Sequence, residues 1–296
     1  MTARPRQLRA GAPSAIQSQR FGPLTELAGT WVGKGFTLVS KPGFSVKPRL
    51  PFVLQVNATI ETLTFTPIGG EIPDRGSQQP DINVFGMTYS HEVSDAASLE
   101  LLHVESGMWL NVPATSTPKQ PPTIVRLSTI PHGNAMLAQG NATHVKGRPE
   151  IASVHTQPFF ADTKKKVSFF PPRPFEPPHV NPFPLPAGFD LADPTAALRG
   201  AIKGQNITRT ELLQVSSAAN NTLNIPFVLN NAAASSLDAV FMIETVKPPA
   251  GAGDPFLQLQ YSQSVMLTFP PARGAITAKN PLINWPHVSV ATLVKQ

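Results

Sequence analysis

A two-residue alternation of side-chain character recurs along this chain and limits the folds open to it more than any other feature. The last stretch shows it most plainly. In Asn284-Trp285-Pro286-His287-Val288-Ser289-Val290-Ala291-Thr292-Leu293-Val294-Lys295, one face carries Trp285, His287, Ser289, Ala291 and Leu293, and the other carries Val288, Val290, Thr292 and Val294. Period 2 predicts a β-strand. The β-branched face suits a packed sheet surface. The first face sets an imidazole between an aromatic ring and two small side chains, which leaves room for something flat and large. His287 is thereby a candidate ligand to a cofactor metal inside a barrel. The plainer alternative is a core histidine with a hydrogen-bonded ring.

Further strands are predicted over residues 29–39, 52–60 with 61–65 as continuation or neighbour, 84–93, 99–112, 124–130, 135–143, 205–215, 222–229, 237–246 and 256–269. Between them lie turn signals such as Gly69-Gly70, Pro131-His132-Gly133 and Asn230-Asn231. Short strands at roughly ten-residue spacing predict an all-β sandwich or barrel. A turn of helix is expected over 24–27, and a longer helix over 193–203, with Asp193 as N-cap and Pro194 at the first helical position. Residues 158–194 hold ten prolines and seven phenylalanines. Proline at that density breaks both helix and sheet, so this stretch reads as an extended arm that wraps the barrel or closes its mouth. Residues 1–20 are basic and polar and read as a disordered tail. The expectation is a single domain over 21–296, with 158–203 as an insertion.

Composition removes several function classes. There is no cysteine, hence no disulfide, Fe–S cluster, thiolate zinc site, thiolate haem ligand or cysteine nucleophile. The net charge of +6 is scattered. Only Arg4, Arg6 and Arg9 and the run Lys164-Lys165-Lys166 cluster, and no basic stripe interleaved with aromatics predicts nucleic-acid binding. No apolar run approaches the ~20 residues of a membrane span, and no apolar leader segment is visible. These points predict a soluble, cytoplasmic protein. Phosphate-loop, dinucleotide, serine-elbow and zinc-helix motifs are absent.

Gly29-Thr30-Trp31 at the start of an antiparallel barrel is similar to the calycin pattern, in which an early tryptophan plugs one barrel end. The order of further motifs resembles nitrobindin, a family of small haem-binding β-barrels. Gly29-Thr30-Trp31-Val32-Gly33-Lys34-Gly35 resembles its opening strand, and Glu61-Thr62-Leu63-Thr64-Phe65 falls where it has a Glu-containing strand. Leu102-His103-Val104-Glu105-Ser106-Gly107-Met108-Trp109 is similar to its Leu-His-x-Glu-x-Gly-aromatic strand. Pro131-His132-Gly133 occupies the place of its Pro-Thr-Gly turn, and the segment from Trp285 to Lys295 resembles its closing strand. Together these blocks cover about half of the chain. The family's Tyr-Pro-Thr-Ile after the glycines is absent, Lys295 replaces its final arginine, and this chain is much longer.

The resemblance implies a calycin-like antiparallel barrel that binds haem b, with His287 as the iron's proximal ligand and Trp31, His132, Trp285, Ser289 and Ala291 around the cofactor. His132 departs from that family, which has no distal histidine at this turn; facing the other side of the macrocycle it would be a distal, catalytic histidine able to accept and return a proton. It implies handling of peroxide, peroxynitrite or nitric oxide, as a peroxidase or a peroxynitrite isomerase, or peroxide-dependent oxidation of a small molecule. The alternative is a lipocalin-like carrier of an apolar small molecule without iron. A third reading is cofactor-free catalysis by His103 or Glu105, although such a pair more commonly bonds structurally or faces solvent. His91, His144, His155 and His179 are expected in turns or loops. A non-haem site built from His91, His103, His132 and His287 is a further option.

Overall fold

The structure is a computed structural model, described for residues 20–42, 52–167, 179–180, 190–217, 221–270 and 274–296. Ten long strands make the barrel: β1 Gly29–Pro42, β2 Phe52–Pro67, β3 Ile82–Asp95, β4 Leu101–Val112, β5 Thr123–Ile130, β6 Asn134–Lys146, β7 Ile207–Ser216, β8 Ala233–Val246, β9 Phe256–Phe269 and β10 Ile283–Lys295. Each runs antiparallel to the next. β10 then pairs with β1, from Trp31 opposite Lys295 to Leu38 opposite Val288, and the sheet closes. Closure removes the unpaired strand edges that an open sheet must otherwise protect. The expected all-β, antiparallel barrel of about ten strands with short helices is therefore the observed architecture.

Alternation sorts side chains between inside and outside as the sequence predicts. Leu63, Phe65, Met87, Trp109, Phe241, Leu259 and Leu293 pack in the interior. A 3-10 helix, Gly22–Leu27, plugs one end with Leu24 and Leu27. Trp31 packs beneath it and donates its indole N–H to the Leu27 carbonyl at 2.7 Å. The early tryptophan expected at one end of the barrel is found there.

The outer face of β7 to β10 is covered by the long β6–β7 connection. Helix α1, Ala196–Ala201, lies there, and Ile151, Leu198 and Ile202 pack on Met242, Val246, Val288 and Val290. The helix is shorter than predicted, and Asp193 does not cap it. Its carboxylate instead accepts from Ser153 Oγ, Thr195 Oγ1 and Arg199 Nη2, because a tertiary partner offered a stronger bond than the helix end. In the Pro/Phe-rich arm, Phe159–Phe160 pairs with the start of β10 and His179–Val180 runs parallel to β2. The arm's remaining residues 168–178 and 181–189 lie outside the described residues, as do residues 1–19 of the tail.

The strand expected over 222–229 is interrupted. Thr222–Asn224 pairs with β6, and helix α2, Pro226–Asn231, follows. Pro226 supplies the reason: it cannot donate to a sheet ladder and is suited to the first turn of a helix.

Beneath the α1 layer, Glu244 is fully buried and accepts from Gln258 Nε2 at 2.6 Å, while its second oxygen has no partner. Burial pushes its carboxyl up to about 7, despite the Gln258 bond and the Arg148 charge. Between about pH 4.3, the ordinary Glu value, and that value, the unfolded chain has released a proton that the folded chain keeps. Stability therefore falls as pH rises through this window. Glu244→Gln is expected to raise unfolding free energy by about 2–3 kcal/mol at pH 8 and to change it little at pH 4. Urea unfolding at the two pH values checks this; an equal gain at both would assign the effect to something other than the carboxylate's charge.

Candidate functional site

At the end of the barrel opposite the plug, where β2, β4, β6, β8 and β10 begin, lies a cavity of about 590 Å³. That size falls within the range of small-molecule sites. Its walls mix apolar groups such as Val39, Val93, Leu102, Val265 and Leu267 with polar ones, and four histidines reach it: His91, His103, His132 and His287.

His287 stands on β10. Its Nε2 lies 2.8 Å from the Ser40 carbonyl oxygen and 3.2 Å from the Ser40 nitrogen, on neighbouring β1. As donor to the nearer carbonyl Nε2 would carry the proton and leave Nδ1 its lone pair; as acceptor from the Ser40 N–H it would itself hold the lone pair. Burial pushes the ring down to about 4, against the opposing pull of the Ser40 bond, so it is neutral at pH 7. Ser289, one step along the same face, lines the cavity and bonds Thr37 at 3.1 Å.

His132 occupies the β5–β6 turn at the rim. Gly133 makes that turn possible: its φ is +104°, and a Cβ there would stand 2.4 Å from Ile225. The chain crosses back here, with the Ile225 N–H bonded to the Gly133 carbonyl at 2.9 Å. Desolvation lowers the pKa of His132, helped by the neighbouring His103, whose ring centre is 5.9 Å away.

His287, His132 and Ser289 of the expected site residues are thus brought to one cavity. Trp31, Trp285 and Ala291 are not among its lining residues. Trp31 belongs to the opposite end. Trp285 stacks on Phe269 at 4.9 Å and donates to the Phe269 carbonyl. Ala291 is buried further along the barrel, opposite Tyr261 and Gly35. His91 is not in a turn: it is buried on β3, with Nε2 3.0 Å from Glu61 Oε2. Among the described residues no group of three or more His, Asp or Glu is arranged to hold a metal ion, so the four histidines share a cavity without converging on a non-haem site.

Behind the cavity lies a charged network that the sequence reading did not assemble. Glu105 is fully buried, and its Oε1 accepts from Arg126 Nη2 at 2.6 Å and from Tyr89 Oη. Arg126 Nε reaches Tyr89 Oη at 3.2 Å, and Tyr89 Oη lies 2.8 Å from Ser128 Oγ. Burial works to raise the Glu105 pKa, but Arg126 above all, with Tyr89 and His103, holds it well below the usual carboxylate range. Glu61 accepts from Tyr261 at 2.6 Å and from Thr59 at 2.6 Å. The face of His103 and Glu105 therefore points inward. The available signal was Arg126 itself, in phase with Ile124, Ser128 and Ile130 on β5, all four buried.

The class these features define is a closed antiparallel barrel with an internal ligand-sized cavity at one end. Among the described residues, no helix is long and apolar enough to cross a membrane. No family model matches the chain, and no curated protein matches it. Among solved structures, it is similar to the crystal structure of Rv2717c from M. tuberculosis, at 14% identity and a TM-score of 0.43, over 97% of this chain and 99% of that one.

Proposed function

We propose that the barrel binds haem b in this cavity, with His287 as axial ligand, and that the complex handles peroxide, peroxynitrite or nitric oxide. The observation that carries this reading is His287 itself. It is a neutral imidazole at the cavity wall, with one ring nitrogen held by the backbone of Ser40. A metal-bound histidine needs this arrangement: a neutral ring and a ring orientation set by a neighbour. Bound haem would supply a redox-active iron centre. The chain's own parts would then be simple. Ser40 orients His287, apolar side chains of β1, β3 and β9 exclude water, and His132 at the rim accepts a proton at a ring nitrogen.

The test is an absorption titration of the purified full chain with hemin. The expected result is a sharp Soret band that is lost or strongly shifted in His287→Ala. A flat titration, or the same spectrum in the variant, overturns the reading.

A second reading, a carrier of an apolar small molecule without iron, draws on the rim. Leu99, Leu101, Leu223, Ile225, Phe227 and Leu229 are all exposed near the cavity's end of the barrel, Phe227 by 72%. Native mass spectrometry showing a co-purified lipid and no porphyrin would select it.

A further inference from the structure

The cavity contains an unused acid–base pair. His103 lines it, and His103 Nε2 is shut from solvent with no hydrogen-bond partner. The atom facing it, 3.5 Å away, is Glu105 Oε2, which is also buried and unpartnered. The two complementary atoms thus face each other out of contact with solvent, the placement in which a carboxylate orients an imidazole. The other oxygen of Glu105 is already committed to Arg126 and Tyr89.

We propose that His103 and Glu105 form a general-base dyad that takes the proton of a weakly acidic hydroxyl compound, a phenol or an enol, bound in the cavity. Glu105 is the orienting partner rather than the base, since Arg126 keeps it ionised at low pKa and therefore weakly basic. Its carboxylate draws the His103 proton to Nε2 and leaves Nδ1 as the accepting nitrogen. In the transfer, the ligand's O–H bond breaks and an N–H bond forms at Nδ1. The products are an oxyanion and an imidazolium, and no electrons leave either partner. The imidazolium then sits beside the fixed negative charge of Glu105, the logic of a carboxylate–histidine pair in acid–base catalysis.

The surroundings fit this charge change. Facing His103 from the β5–β6 turn is His132, with ring centres 5.9 Å apart, and from β3 is His91, at 6.5 Å. His91 is held by Glu61, which also binds Tyr261. Arg126 and Tyr89 close the far side through Glu105. The group that would receive the proton is thus backed by one carboxylate, with the His132 imidazole facing it from the rim. The cavity's apolar walls suit a flat conjugated ring, and the histidines suit its oxygen. A saturated lipid would leave the histidines unused; a sugar would leave the apolar walls unused.

The test uses 4-nitrophenol as the probe and the full chain without added haem, so its outcome is separate from that of the hemin titration. The visible phenolate band of the bound probe is followed across pH. The expected result is ionisation of bound probe at least one pH unit below that of free probe. In His103→Gln, which leaves the buried Glu105–Arg126 pair in place, the bound probe should return to the free-probe curve. The histidine ¹⁵N spectrum of the unaltered protein gives an independent readout: the His103 ring should gain a proton when the probe binds. No binding at millimolar probe, an unshifted curve in the unaltered protein, a shift retained in His103→Gln, or a His103 ring that stays neutral on binding would each overturn the proposal.

Discussion

Arg126→Met should lower the unfolding free energy by about 3–5 kcal/mol, the usual cost of stranding one partner of a buried ion pair. Glu105 is fully buried, and Arg126 is its strongest partner, at 2.6 Å. Methionine fills much of the same volume, so the loss is mainly electrostatic. The guanidinium also lies between 5.3 and 5.7 Å from the ring centres of Tyr89, Trp109 and Phe241, which adds cation–π attraction to the loss. Adding Glu105→Gln should recover most of the stability, because it removes the stranded charge. Urea unfolding of the two single variants and the double variant forms the cycle that isolates the pair. A double variant as unstable as Arg126→Met would show that packing, not charge, sets the cost. The pair also has a pH signature. The carboxyl of Glu105 is depressed in the folded chain, so its contribution is in place above about pH 4.3 and is lost as pH falls toward the folded value.

Trp31→Ala should cost a comparable amount, about 3–5 kcal/mol, through lost burial and the cavity left behind. The indole is fully buried, anchors the 3-10 helix through the Leu27 carbonyl, and lies 5.2 Å below Lys295 Nζ. Lys295 in turn donates to the Glu26 carbonyl at 2.7 Å, so the ring and the ammonium hold the plug together. A six-residue helix has little stability of its own. Amide exchange at residues 22–27 should therefore accelerate far more than exchange in β8 and β9. The ligand cavity is at the other end, so binding there should survive. Unchanged protection of the plug would show that Leu24 and Leu27 hold it without the indole.

The sequence made the strands legible because alternation is local. A residue's neighbours two positions away share its face whatever the rest of the chain does. That rule placed β10 with His287, Ser289, Ala291 and Leu293 on one face, while the expectation of Trp31 at one barrel end came from the resemblance to the calycin pattern. It failed where two local signals competed. Residues 222–229 are apolar enough for a strand, yet Pro226 ends the ladder and starts α2. Asp193 looks like a helix cap, yet Ser153 and Arg199, distant in sequence, claim its carboxylate.

The site divides along the same line. The inward direction of His287 and the position of His132 before a turn glycine follow from the sequence alone. Which residues share a face across strands does not. His91, His103 and His132 meet because β3, β4 and β5 are adjacent and in a particular register. Arg126 finds Glu105 only because Met108 lies opposite Leu127 and Trp109 opposite Arg126, which carries the guanidinium back toward the buried carboxylate. The chain by itself therefore determined the strands and the two faces of each. Tertiary closure decided which polar groups became partners, because pairing of buried charges depends on distances across strands that no single strand's alternation contains.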